Sequence, residues 1–148
     1  MSEPQSESLF WNLQRAYRLS RREYSERLSH FDLTARQAAL LLAVRTHPGR
    51  GVRSAAEAIG ADVPTCSALV TRLEERALIV RRSDRSDRRR TCLYLSPEAE
   101  EIVDAVEGAQ RAADARLKSA LGADAEQLRP LLARLCERLS AEEGGGNG

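Results

Sequence analysis

The chain has 148 residues, 42% of them hydrophobic and 30% charged, the composition of an ordinary globular protein with room for one domain or two small lobes that share helices. Aromatic residues make up only 4%, so the core must be built mainly from Leu, Ala and Val. Net charge is +1 at neutral pH, which by itself argues for no polyanionic partner; no apolar run approaches membrane-spanning length, and Met1-Ser2-Glu3-Pro4 begins no signal-peptide pattern.

Residues 1–7 are polar and are expected to be disordered. From residue 8 to 30 the apolar spacing predicts a long amphipathic helix, with Phe10, Leu13, Tyr17, Ser20, Tyr24, Leu28 and Phe31 at intervals of three and four. Most of its arginines fall off that stripe, and Trp11 sits beside it as a core-edge aromatic. Thr34-Ala35-Arg36-Gln37 is a capping box and opens a second helix. That helix stops before His47-Pro48-Gly49-Arg50-Gly51, a loop of helix breakers. Ser54-Ala55-Ala56-Glu57 reads as a second capping box at the start of a short helix, and Gly60 suits a left-handed cap at its end. Another helix follows almost at once, with Asp62 as its N-cap and Pro64 in its first turn.

Short helix, glycine turn, second helix is the helix-turn-helix pattern. The second of these helices puts Cys66, Leu69, Val70 and Leu73 on one face and Thr65, Ser67, Ala68, Thr71 and Arg72 on the other. A small, polar outer face suits close approach to a major-groove floor.

Two short apolar runs then flank Asp84-Arg85-Ser86-Asp87-Arg88-Arg89-Arg90. They predict a hairpin with a charged tip, and so a winged helix. From Arg81 to Arg90 there are six arginines against two aspartates, which points outward to a polyanion. Arg85, Arg88, Arg89 and Arg90 are expected to supply the wing, Arg89 as the residue inserted into a minor groove and Asp87 as the carboxylate that orients its guanidinium. Arg81 and Arg82, at the base, are expected to touch phosphate only.

Ser96-Pro97-Glu98 starts a helix in the usual way, with Ser as N-cap and Pro at the first position. An Ala-rich helical pattern runs from 97 to 120, Gly122-Ala123 breaks it, and Asp124-Ala125-Glu126-Gln127 is a third box-like start. A leucine stripe follows, through Leu128, Leu131, Leu132, Leu135 and Leu139, interrupted by Pro130. Residues 141–148 are expected to form a disordered tail. The first helix and the last two carry apolar stripes that one chain has nothing to cover, so a second copy is the economical partner. Charge divides along the same lines: residues 1–96 hold 17 basic and 11 acidic side chains, and residues 97–148 hold 6 and 11.

The chain therefore reads as mainly α with a small β-hairpin wing. A winged helix-turn-helix spans 32–96, and a helical dimerisation region is made from 8–31 and 97–140.

In this order of blocks, over roughly residues 9–140, the sequence resembles the MarR family of bacterial transcription regulators. The residues that carry the resemblance are Leu33-Thr34-Ala35-Arg36-Gln37, then Leu69-Val70-Thr71-Arg72-Leu73-Glu74-Glu75-Arg76-Ala77-Leu78-Ile79, then the wing from Asp84 to Arg89 and the exit Leu93-Tyr94-Leu95-Ser96-Pro97-Glu98. The family's Asp-x-Arg wing motif falls on Asp87 and Arg89. The resemblance implies a homodimer with two winged helices set on a pseudo-palindromic duplex, acting as a repressor released by a small molecule. It departs from the family in two places. Ala77 stands where a glycine is usual, so the recognition helix is expected to end without a left-handed cap. Ala68 stands where Arg is frequent, which shifts the expected readout toward the wing and DNA shape.

The expected DNA-contacting set is Arg53, Thr65, Ser67, Ala68, Thr71, Arg72, Arg85, Asp87, Arg88, Arg89 and Arg90. Relatives that bind aromatic acids suggest Trp11, Tyr17, Tyr24 and His30 as lining for an effector. Cys66, Cys92 and Cys136 are odd in number and far apart, with no metal-ligand spacing, so no metal or other cofactor is expected and a reducing cytoplasm is. Oxidant sensing through a cysteine remains an alternative signal, and a winged helix used only for protein–protein contact an alternative function. His30 and His47 have no catalytic partner at a meaningful spacing, so no enzyme is expected.

Overall fold

The structure, a computed structural model, describes residues 8–144. The tail and N-terminus expected to be disordered lie outside these at 1–7 and 145–148. In chain order the elements are α1 (Leu9–Ser29), α2 (Ala35–Thr46), α3 (Val52–Ile59), α4 (Val63–Glu75), β1 (Ile79–Ser83), β2 (Thr91–Leu95), α5 (Pro97–Leu121), a 3-10 turn (Gly122–Asp124) and α6 (Ala125–Gly144). The last helix reaches Gly144, so residues 141–144 are helical and not part of a disordered tail. The chain forms two compact units, one up to Arg111 and one from Ala112.

The first unit is built on one apolar core. Leu28 of α1, Leu40, Leu41 and Val44 of α2, Ala55 and Ala56 of α3, Cys66, Val70 and Leu73 of α4, Ile79 and Leu93 of the hairpin, and Ala99, Val103 and Val106 of α5 are all buried in it. Alanines where α3 meets α4 leave room for Cys66, which is wholly buried. Only the end of α1 takes part: Tyr24 and Phe31 pack on the core, whereas Phe10 is 69% and Tyr17 58% exposed.

Local chemistry sets most helix ends. Thr34 Oγ1 accepts from the Gln37 amide at 3.2 Å, and Gln37 Oε1 accepts from the Thr34 amide at 3.0 Å, which completes the capping box. Ser96 Oγ accepts from the Ala99 amide at the start of α5. Three helices end with a left-handed residue followed by an amide that bonds five residues back: Asp32 (φ 51) with Leu33 to Leu28, Gly60 (φ 64) with Ala61 to Ala56, and Ala77 (φ 56) with Leu78 to Leu73. The missing glycine at 77 therefore does not remove the left-handed cap of α4. Burial of Leu78 and Ile79 just beyond it imposes the turn on an alanine.

The capping box expected at Ser54 does not form. Helix α3 begins earlier, at Val52, with Gly51 as an N-cap that has no side-chain bond. Tertiary pairing decides this. The Gly49 amide donates to the Leu93 carbonyl at 2.9 Å and the Leu93 amide to the Arg50 carbonyl at 3.0 Å, so the loop lies along β2 and turns helical on leaving it. Gly49 is needed there twice over, with φ +83 and only 2.9 Å between the site of a Cβ and Tyr94 Oη.

β1 and β2 pair antiparallel, from Ile79 opposite Leu95 to Ser83 opposite Thr91. The first strand starts at Ile79, two residues into the apolar run Ala77-Leu78-Ile79-Val80, because Ala77 and Leu78 belong to the α4 cap.

In the second unit the end of α5, the 3-10 turn and α6 enclose a shallow apolar cleft of about 140 Å³, lined by Leu117, Leu121, Leu128 and Leu132 among others. Leu131 and Leu139 of α6 are about half exposed, at 53% and 50%. Among the described residues, no helix is long and apolar enough to cross a membrane, and no group of three or more His, Cys, Asp or Glu could hold a metal ion.

Candidate nucleic-acid interface

Helix α4 presents one face to the core and one to solvent. Asp62 holds its first turn: Oδ1 accepts from the Thr65 amide at 2.7 Å and Oδ2 from the Thr65 hydroxyl at 2.8 Å. These two bonds hold the Asp62 carboxyl below the usual carboxylate range. Cys66, Val70 and Leu73 point inward. Ala68, Thr71 and Arg72 are exposed, and Thr65 and Ser67 partly so. The expected outer face is thus assembled, and Arg53 is exposed on α3.

The wing is tied to this helix at its base. Arg81 Nε of β1 meets Glu74 Oε2 of α4 at 2.6 Å, and Arg81 Nη2 donates to Thr71 Oγ1 at 3.3 Å. Arg82 lies over the Tyr94 ring, 5.3 Å from its centroid. Both base arginines therefore already have partners within the chain.

At the tip, the Asp84 amide donates to the Arg90 carbonyl at 2.9 Å and closes the loop. Asp84 Oδ1 accepts from the amide and hydroxyl of Ser86 at 2.9 and 2.8 Å, which lowers the Asp84 pKa. Asp87 Oδ1 accepts from the backbone amide of Arg89 at 3.0 Å. The carboxylate expected to orient the Arg89 guanidinium instead folds the loop, because an Asp two residues before an amide closes an Asx turn more easily than it reaches a long side chain. Arg85, Arg88, Arg89 and Arg90 stand exposed around this frame.

The four proposed effector-lining residues are not brought together within the chain. All lie on or just after α1, where Trp11 and His30 are about 28 Å apart at the usual helical rise. Trp11 is partly buried with the Arg18 guanidinium over its ring, Tyr17 is covered in the same way by Arg21, Tyr24 is partly buried with its hydroxyl pKa raised by burial, and His30 is exposed. As for the cysteines, burial pushes the Cys66 thiol up, the opposite of what a thiolate sensor needs. Cys92 is also buried, and Cys136 is exposed.

Two arginines that support the interface were not singled out from sequence. Arg76, at the end of α4, donates through Nη1 to the Asp32 carbonyl at 2.8 Å and through Nη2 to the Phe31 carbonyl at 2.7 Å. Arg45 of α2 bridges Asp104 of α5 at 2.6 Å, with Glu100 at 3.8 Å and Glu107 at 3.7 Å. The second was detectable, since Glu100, Asp104 and Glu107 fall at helical spacing on one face. The first had no signal, because a basic residue in a last helical turn is commonplace.

A family model described as MarR family matches residues 31–90. Among solved structures, the chain is similar to the transcriptional repressor CouR bound to a 23-mer DNA duplex (28% identity, TM-score 0.80, covering 88% of this chain and 94% of that one). It is also similar to CouR from Rhodococcus jostii RHA1 bound to p-coumaroyl-CoA (23%, TM-score 0.79, 94% and 96%) and to MarR (27%, TM-score 0.74, 97% and 99%). No curated protein matches the sequence. The family match over the winged helix, joined to a fold match over nearly the whole chain, supports a winged-helix regulator of the MarR type.

Proposed function

We propose that the protein is a sequence-specific DNA-binding transcriptional regulator, a homodimeric repressor released from its operator by a small ligand. The observation that carries this is the joint presentation of α4 and the wing. An exposed helix with a small polar face is bonded through Glu74 and Arg81 to the base of a hairpin whose tip carries four exposed arginines. A groove-reading helix beside a cationic probe is a surface for double-stranded DNA, with the arginines supplying phosphate or minor-groove contacts. The likeness to a repressor solved on a DNA duplex supports the same partner.

Residues 32–96 are the DNA-binding domain in this reading, and 8–31 with 97–140 form the dimerisation region. Leu9, Phe10 and Leu19 of α1, exposed at 78%, 69% and 61%, are apolar surface that a second copy would cover. Two winged helices related by a two-fold axis call for a pseudo-palindromic site. Release by a ligand is supported by the relative solved with p-coumaroyl-CoA; the effector of this chain is a separate question of chemistry. The protein acts in the cytoplasm and is a binding protein, not an enzyme. A thiol switch finds no support in the buried Cys66 and Cys92.

The test is an electrophoretic shift with random duplex at low salt, followed by enrichment of bound fragments from a random pool. Binding that sharpens to a repeated, inverted half-site is the expected result. A protein that shifts no duplex at low salt overturns the reading in favour of a protein-binding winged helix.

A further inference from the structure

The outer face of α4 carries two threonines whose hydroxyl protons are already engaged. Thr71 Oγ1 donates to the Ser67 carbonyl at 3.0 Å and accepts from Arg81 Nη2 at 3.3 Å. Thr65 Oγ1 donates to Asp62 Oδ2 at 2.8 Å. A hydroxyl has a single proton to give. Neither threonine can therefore donate to guanine O6 or N7 without breaking a bond its hydroxyl already makes. At Thr65 the bond to be broken is to an ionised carboxylate, which is stronger than a neutral one. Each hydroxyl keeps an acceptor lone pair but no proton to give, each side chain keeps its γ-methyl, and exposed Ala68 between them has only a methyl to offer.

In the major groove the group that complements a methyl is the C5 methyl of thymine, which only A·T pairs carry. Resting on the DNA-binding reading above, we propose that Thr71 and Thr65, with Ala68, read thymine C5 methyl groups in each half-site. At these three positions the recognition helix then selects A·T pairs by apolar contact and not guanines by hydrogen bonding. Arg81 is a positioning residue in this scheme. Its bridge to Glu74 at 2.6 Å sets the guanidinium where it meets the Thr71 hydroxyl, so the wing side of the lobe fixes the Thr71 rotamer.

Replacing thymine by deoxyuridine tests this cleanly, since it deletes the methyl and leaves every hydrogen-bonding edge unchanged. In a duplex enriched by the protein from a random pool, each thymine of the two half-sites is exchanged in turn. At least one exchange per half-site is expected to weaken binding about fourfold, the worth of one buried methyl group. Thr71→Val keeps the methyl and is expected to bind within about twofold of the parent. Thr71→Ser keeps the hydroxyl, removes the methyl from both protomers and is expected to lose about fourfold per half-site, about sixteenfold in all, on the thymine site, with no further loss when the matching thymine of both half-sites is uracil. Thermal unfolding of both variants controls for folding. Indifference to every uracil exchange, or a Val variant weaker than the Ser variant, overturns the proposal and leaves DNA binding intact. Failure to bind any duplex overturns both together.

Discussion

Arg76 Nη1 donates to the carbonyl oxygen of Asp32 at 2.8 Å. Asp32 is the left-handed residue that ends α1, and Arg76 immediately precedes Ala77, the left-handed residue that ends α4. One guanidinium thus joins two helix caps, and through them fixes the C-terminal end of the recognition helix against the corner from which α2 departs. Arg76→Met keeps the aliphatic stem and removes both bonds. Because the side chain is exposed, the expected loss is about 1 kcal/mol, below the usual range for bonds from a charged donor. It should appear as a lower urea midpoint at constant m-value. Arg76→Lys should recover less than half, since an ammonium lacks the planar fork that meets two carbonyls at once. An Arg76→Met variant with the parent's midpoint shows that the clamp contributes nothing.

Ala77 has φ 56, a conformation that costs a residue with a Cβ roughly 1–2 kcal/mol. Glycine removes that strain and adds back some unfolded-state entropy, about 0.4–1 kcal/mol. Ala77→Gly should therefore stabilise the protein by about 0.5–1 kcal/mol, read as a rise in melting temperature. The matching change at Asp32 should gain less, because Asp tolerates the left-handed region better than Ala. Destabilisation by Ala77→Gly contradicts the cap geometry.

The comparison of Ala77 with Gly60 shows what the sequence made legible. Gly60, the Thr34–Gln37 box, the Asp62 cap and the Ser96–Pro97 start were readable because each is decided by residues a few positions apart. Ala77 and Ser54 were misread for one reason: distant contacts decide both. Burial of Leu78 and Ile79 forces the turn at Ala77, and pairing of Gly49 and Arg50 with Leu93 advances the start of α3. The interface followed the same rule. The faces of α4 and the cluster of wing arginines were legible as patterns, but the partners of Arg81 and Asp87 were not, since hydrogen-bond geometry at a loop tip or across two elements leaves no periodic trace.

The Asp62 cap predicts an acid response. Its two bonds to Thr65 lower its pKa in the folded state. A folded pKa below the unfolded one contributes stability that is fully present above the unfolded value and is lost as pH falls through the folded value. Urea unfolding from pH 6 down to pH 2.5 should therefore show the parent losing stability at the acid end. Asp62→Asn, a comparably good N-cap, should lose less over the same interval. Parallel curves for the two proteins mean that the cap carries no linkage.

At the wing tip the role of Asp87 separates two substitutions. Since its carboxylate accepts from the Arg89 amide, asparagine can make the same bond and alanine cannot. Asp87→Asn should keep operator affinity, or raise it slightly by removing a negative charge near phosphates. Asp87→Ala should weaken binding by opening the loop that presents Arg89. Arg89→Ala should weaken it by about 1–3 kcal/mol if that side chain makes a groove contact. Equal loss from Asp87→Asn and Asp87→Ala returns the carboxylate to the role of a charged partner for a guanidinium.

Salt dependence distinguishes an arginine that touches DNA from one that holds the wing. Each phosphate neutralised contributes a slope of about 0.9 to the fall of log affinity with log salt. Arg85 is exposed at the tip, so Arg85→Ala should flatten the slope by about 0.9 for each protomer bound. Arg81 is bonded to Glu74 at 2.6 Å, and its charge is balanced within the chain. Arg81→Ala should lower affinity, because wing and recognition helix lose their common anchor, while the slope stays near the parent's. Glu74→Gln should reproduce that pattern from the other side of the bridge: it keeps an acceptor for the arginine and removes the charge that holds it, so a smaller loss at an unchanged slope is expected. A flattened slope in Arg81→Ala places that guanidinium on the phosphate backbone after all.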